Sequence, residues 1–234
     1  MTDTKAHNSR HEELIASLAD PEVCARYKAL HDGFRVSFLP RLLGGILVFL
    51  GNTFFGKEPS YSKFKAIEVI ARIPYQSWEV ASYMILTFFY MNEKKAIELS
   101  RTSRFGREAQ DNETMHVVVI SQLAKAHKQS NFIWHTLIPL LFSFFYFLST
   151  LLLYLVSPRK AFELNYLFED HAFSQYSRFL ENNKEVLKQR TFQSDFLEYY
   201  GRYPRNEYDF FLSVACDEIA HRNRSAIQAL EQVK

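Results

Sequence analysis

The chain has 234 residues, enough for one sizeable core, and is 47% apolar and 16% aromatic with only 7 Gly and 7 Pro, too few turn formers for a many-stranded sheet. Its formal net charge of +2, with Lys and Arg interleaved among Asp and Glu, excludes a nucleic-acid partner. The two cysteines, Cys24 and Cys216, lie far apart and supply no disulfide framework.

Residues 1–35 scatter charges of both signs without an apolar run and read as a polar N-terminal segment. They lack the pattern of a secretory signal, and their acidic residues argue against a transit peptide. Residues 36–56 are apolar but interrupted by Arg41 and by glycines, which suits an interfacial helix better than a spanning one. A helical pattern follows over 63–91, with Pro74 expected to bend it. A polar, basic stretch then leads into a second core helix at about 110–127. Residues 131–157 hold no Asp, Glu, Lys or Arg and are long enough to cross a bilayer. Pro158 precedes a helix over 159–189, and after a turn around Arg202, Tyr203 and Pro204 a last helix runs over about 207–230.

Two Glu-x-x-His pairs stand out: Glu113 with His116, and Glu218 with His221. On a helix each pair shares one face. Such a pair is commonly a solvated surface feature, but His116 is followed by VVVI and Glu218 follows FFLSVAC, so both sit on helices with much apolar surface, where uncompensated charge is costly. Carboxylate and imidazole ligands suit iron, and ferritin-like di-iron bundles take one such pair from each of two helices plus one glutamate from each of two others. Glu68 lies 45 residues before Glu113 and Glu169 lies 49 before Glu218, so the two halves repeat the pattern at nearly equal spacing. Each interval accommodates a helix, a connection and the return half of an antiparallel neighbour. Glu79 and Glu163 are rivals for the lone glutamates: Glu79 shares the face of Glu68 three turns on, and Glu163 is rotated off the face of Glu169. The expected fold is all-α, a ferritin-like four-helix bundle with two apolar helices, 36–56 and 131–157, on a membrane surface.

The stretches IEVIARIPY (67–75), NETMH (112–116), LLYLVSPRKAFELNYLFEDHAFSQY (152–176) and ACDEIAH (215–221) resemble the alternative oxidases, and most closely their plastid terminal oxidase branch. The similarity runs in order over about 60–225 and implies a di-iron oxidase domain over 36–230. It implies a membrane-bound quinol:oxygen oxidoreductase, cyanide-insensitive and without proton pumping, that uses two non-haem Fe ions and turns two quinols and one O2 into two waters. The implied iron ligands are Glu68, Glu113, His116, Glu169, Glu218 and His221, the set the spacing also favours. Tyr176, two turns after Glu169, matches a tyrosine placed beside the iron as a redox participant. Lys63, His171 and Ala172 match positions around the quinone entry, with Lys63 where the family usually has Arg; an ammonium does not reproduce the planar guanidinium contact. Val69, Thr114 and Ala215 also depart from the family's motifs. Asn112 and Asp217, each next to a ligand glutamate, are candidates to orient a ligand imidazole. Relatives of this kind form dimers, so a homodimer is among the implied partners, with membrane quinol, O2 and lipid.

A shared site constrains the membrane reading. Were residues 131–157 to cross the bilayer, Glu113 and Glu169 would be separated by its core of about 30 Å. The helix must therefore return to the side it left, lying in or along one leaflet of a bacterial inner, thylakoid or mitochondrial inner membrane, or packing partly inside the protein. Lys125 and Lys128 before it and Arg159 and Lys160 after it give no charge asymmetry. The competing readings are a di-iron hydroxylase acting on a quinone ring and a non-catalytic interfacial iron-binding bundle.

Overall fold

The computed structural model describes residues 2–232, with side chains from residue 10 onward, and these are 83% helical with no strand among them. In chain order the helices are α1 (Thr2–Leu18), α2 (Pro21–Ala29), α3 (Phe38–Phe55), α4 (Tyr61–Ala71), α5 (Ile73–Phe89), α6 (Glu93–Ala126), α7 (Ile138–Val156), α8 (Pro158–Gln189), α9 (Asp195–Tyr200) and α10 (Glu207–Glu231). Side chains that accept from free backbone N–H groups set several starts: Ser60 for α4, Asn92 for α6 and Asn206 for α10, with Ser157 and Pro158 opening α8. Gly201, at φ 87°, closes α9 in the left-handed conformation.

The bundle consists of α4 with α5, α6, α8 and α10, and α8 against α10 is its most extensive helix pair. Tyr61, Phe64, Met115, Tyr176, Phe179 and Phe211 belong to one core, and Trp78, Phe105 and Phe162 to a second on the α5 side. Pro74 has no N–H to donate and its ring crowds the preceding turn, so the 63–91 pattern breaks at Arg72 into α4 and α5 instead of bending smoothly. The expected polar lead-in before residue 110 is helical throughout, because α6 begins at Glu93 and buries Leu99, Thr102, Phe105 and Ala109 at helical spacing. Gly106 is part of that face. A Cβ there would sit 2.8 Å from the carbonyl oxygen of Tyr75, so α5 and α6 approach this closely only over glycine.

The apolar helices lie on one flank. Over 131–157 the chain forms a five-residue π-turn, Ile133–Leu137, before α7. Pro139 cannot bond to the carbonyl four residues back, and the wider turn, in which Ile138 N–H donates to Ile133 O, relieves the crowding. α7 packs on α4, α5 and α8, and α3 packs on α8 and α4. Residues 2–35 are largely helical, and α1 buries Ile15 and Leu18 against Cys216, Ile219 and Ala220 of α10. Cys24 and Cys216 are free thiols.

Candidate metal centre

Glu68 comes from α4, Glu113 and His116 from α6, Glu169 from α8, and Glu218 and His221 from α10; every one of these six side chains is buried. The i, i+3 pairs place their side chains on the inner faces of α6 and α10, and the lone glutamates meet them at the same level of the bundle. One ligand atom each from Glu68, Glu113, His116 and Glu218 lies within 4.8 Å of the others, and the same holds for Glu113, Glu169, Glu218 and His221. Glu113 and Glu218 belong to both groups, so the cluster offers two adjacent metal positions that share two carboxylates. His116 Nδ1 lies 3.3 Å from Glu113, 3.4 Å from Glu68 and 3.5 Å from Glu218, and His221 Nδ1 lies 3.0 Å from Glu113.

The donor atoms themselves show the fit to metal. Glu68 Oε2, both oxygens of Glu113, His116 Nδ1, Glu218 Oε1 and His221 Nδ1 are buried without a hydrogen-bond partner. Buried polar atoms without partners are rare, and these six belong to the residues of the two clustered groups. Burial and the neighbouring Glu113 charge push the Glu68 carboxyl up to about 8, and burial with the charges of Glu113 and Glu169 pushes Glu218 well above the usual range. Burial opposes ionisation of Glu113 too, but His116 and His221 hold its carboxyl low. Four carboxylates this close cannot all ionise among themselves, whereas two divalent cations would balance all four charges.

Asp217 holds His116 from outside the cluster. It is fully buried and accepts from His116 Nε2 at 2.9 Å, which leaves the Nδ1 lone pair facing inward. His11 Nε2 lies 2.8 Å from its other oxygen, and Arg202 bridges Asp217 to Glu12 with Nη2 at 3.1 and 2.7 Å. Despite burial, Arg202, His11 and His116 keep the Asp217 carboxyl well below its ordinary value. Asn112 is buried, but its amide atoms make no hydrogen bond, so it orients no imidazole in this structure.

Tyr176 Oη donates to Glu68 Oε1, and its ring stacks on Phe64 with centroids 4.1 Å apart. Glu169 is held by Tyr75 Oη at 2.5 Å and by Asn165 Nδ2 at 3.0 Å, and Asn165 also reaches Ser225 at 3.0 Å. Sequence reasoning singled out none of Tyr75, Asn165, His11 and Arg202. Asn165 had a signal, four residues before Glu169 on its face, whereas His11 and Arg202 reach Asp217 from segments with no periodic relation to it. The rival glutamates are engaged elsewhere: Glu79 accepts from Arg107 Nε at 3.0 Å, and Glu163 accepts from Ser37 N–H at 2.9 Å and Arg159 Nε at 2.8 Å.

A cavity of about 190 Å³ runs from the cluster outward between α3 and α7. Its wall includes Glu68, Glu169 and Tyr176, and also Lys63, His171 and Ala172. Lys63 is buried, with Nζ donating to Asn52 Oδ1 and Lys57 O at 3.0 Å and to Gln175 Oε1 at 3.2 Å. All three acceptors are neutral, and burial lowers the lysine's pKa. Burial and the Lys63 charge likewise lower that of His171.

The fold and site define the class: an all-α bundle of the ferritin-like kind whose buried, paired Glu-x-x-His motifs and two lone glutamates could hold metal. The chain belongs to the alternative oxidase family, whose sequence profile matches residues 45–228. It is 25% identical over 227 residues to ubiquinol oxidase 4, chloroplastic/chromoplastic, of Arabidopsis thaliana, an alignment that covers 85% of this chain and 61% of that relative. The chain thus spans about three fifths of that relative's length. No solved structure matches it.

Proposed function

We propose that the protein is a membrane-bound quinol oxidase that reduces O2 to water at a non-haem di-iron centre, without pumping protons and insensitive to cyanide. One observation carries the reading: the cavity flanked by the apolar helices α3 and α7 has Glu68, Glu169 and Tyr176 in its wall, so a ring bound there lies against the ligand cluster. Iron would be held by Glu68, Glu113, His116 and Glu218 at one position and by Glu113, Glu169, Glu218 and His221 at the other. When bound, the iron pair supplies an O2 site and reversible storage of electrons, which the side chains lack.

The chain's own residues do the rest. The cavity is smaller than the roughly 300 Å³ of a drug-sized site, so it takes one substituted ring and leaves an isoprenoid tail to pass out between α3 and α7. Lys63, fixed by Asn52, Lys57 and Gln175, places a positive charge beside a ring oxygen. Burial and Glu68 raise the Tyr176 pKa well above its ordinary value, so the phenol surrenders an electron only together with its proton. Glu68 Oε1 would accept that proton while the electron goes to O2, the oxidant of the reaction, and a quinol hydroxyl would then return a hydrogen atom to the tyrosine oxygen. Two quinols supply the four electrons and four protons that convert one O2 to two waters.

The bilayer supplies the substrate. α3 exposes Phe38, Leu42, Ile46 and Phe49, and α7 exposes Leu140, Leu141, Phe144, Phe145, Leu148 and Leu152, surfaces that water disfavours and lipid accepts. Both helices are long and apolar enough to span. Yet Ser143 of α7 bonds Val69 of α4 while Tyr154 meets Ser82 of α5, so α7 runs along the bundle, which supports a placement in one leaflet. The test is O2 uptake by membranes containing the protein, with quinol added and cyanide present, beside Glu113→Ala. Uptake that disappears in the variant is expected; none from iron-loaded wild type would overturn the proposal, and an oxygenated ring as product would favour a hydroxylase.

A further inference from the structure

The inner face of α7 carries four hydroxyl side chains: Ser143, Tyr146, Thr150 and Tyr154, all buried. Three are satisfied within the protein. Ser143 Oγ donates to Val69 O at 3.3 Å, Thr150 Oγ1 donates to Tyr146 O at 2.9 Å, and Tyr154 Oη pairs with Ser82 Oγ at 3.3 Å. The hydroxyl of Tyr146 alone has no partner, although the side chain is 7% exposed. A buried polar group without a partner calls for one, such as a ligand or an ordered water. Its ring stands edge-on to Phe168 at 6.1 Å, which fixes where the hydroxyl sits, and it forms part of the cavity wall with Glu169 and Asn165. Asn165 and Glu169 are occupied with each other and with Tyr75, so neither satisfies it.

Its position relative to Lys63 completes the argument. Lys63 lies in the first turn of α4, whereas Ser143, one turn before Tyr146, meets the carbonyl of Val69 near the end of that helix. The cavity wall therefore carries Lys63 and Tyr146 at two different levels, and Phe64, Ile67 and Phe142 supply apolar surface in the same wall. A para-quinol presents one oxygen on each of two opposite edges of a flat apolar ring. A phenol hydroxyl can donate to a quinone carbonyl and accept from a quinol hydroxyl, so it serves both redox states.

We propose that Tyr146 Oη is the second polar anchor of the quinol ring, bonding the ring oxygen remote from Lys63 and so setting how the ring is turned toward Tyr176. The inference rests on the quinol oxidase reading above. It makes Tyr146 a binding and orienting residue with no part in proton storage.

Tyr146→Phe removes the oxygen and keeps the ring. In the iron-loaded full chain, KM and kcat for a short-tailed quinol, Kd for its oxidised quinone by titration calorimetry, and Tm are compared with wild type. The expected result is a rise in KM and Kd of about five- to tenfold, the worth of one hydrogen bond, with kcat within about twofold and Tm unchanged or higher. Unchanged KM and Kd would overturn the assignment and leave the hydroxyl holding a buried water, and a lower Tm would overturn it in favour of a purely structural role. Absence of quinol oxidation by wild type would instead sink the oxidase reading, and the quinone Kd would then decide on its own: weaker binding by Tyr146→Phe upholds the ring contact, equal binding overturns it.

Discussion

α7 and α10 both bury polar side chains, for opposite reasons. α10 turns Asp217, Glu218, His221 and Arg222 into the bundle, and Asp217 and Arg222 each meet an opposite charge there. The polar side chains that α7 buries are all hydroxyls, and it presents Leu and Phe outward. In α10 the apolar surroundings make every charge demand a partner, and the partners define a site. In α7 the outward face is apolar and exposed, and the inward face packs on the bundle and lines part of a cavity. Polarity alone predicts neither orientation: what matters is what lies on the far side of each helix.

Removing a shared ligand breaks the α10 side of that contrast most severely. Glu113→Ala takes a carboxylate from both metal positions, and iron content measured by atomic absorption is expected to fall together with quinol oxidation to background. Asp217→Asn acts one step further out. It keeps the shape but removes the charge that accepts from His116 and balances Arg202, and iron affinity or activity is expected to drop about 10- to 100-fold. A retained affinity would mean that packing alone orients the imidazole.

On the α7 side, Phe144→Ser with Phe145→Ser removes two exposed aromatic rings, at 63% and 67% exposure. Each loss is expected to weaken vesicle binding by about 2 kcal/mol, read by flotation, while iron content stays unchanged. Equal flotation would show that this face does not meet lipid. Gly106→Ala tests the packing beneath both regions. The new Cβ would stand 2.8 Å from the Tyr75 carbonyl and force α5 off α6, an expected loss of about 1–3 kcal/mol in denaturant unfolding.

The metal-free site also predicts a pH dependence that iron should reverse. In the metal-free protein Glu68 titrates at about 8, above its ordinary value, so the native state holds a proton that the unfolded state has released. Stability from this group is complete below the unfolded value near 4.5 and is lost as pH rises toward 8. Iron competes with that proton, so metal binding is expected to tighten over the same interval. Parallel Tm profiles of the metal-free and iron-loaded forms check both signs.

Local periodicity carried much of this site into the sequence. Glu113 with His116 and Glu218 with His221 are readable because a helix returns to one face every three or four residues, and the length of a helix and its return favours Glu68 and Glu169 over their rivals Glu79 and Glu163. The apolar character of α3 and α7 is equally local. By contrast, His11 and Arg202 on Asp217, Tyr75 on Glu169 and the unpaired hydroxyl of Tyr146 arise where separate elements meet, and no spacing rule within one helix encodes them. The same holds for residues 93–109: their charges read as a connection, yet one face of them packs on α5 as helix. Sequence periodicity fixes which residues share a face, because that depends on backbone geometry alone. Which face turns inward, and what it finds there, depends on the other helices and on the solvent beyond them, and these enter only when the bundle closes.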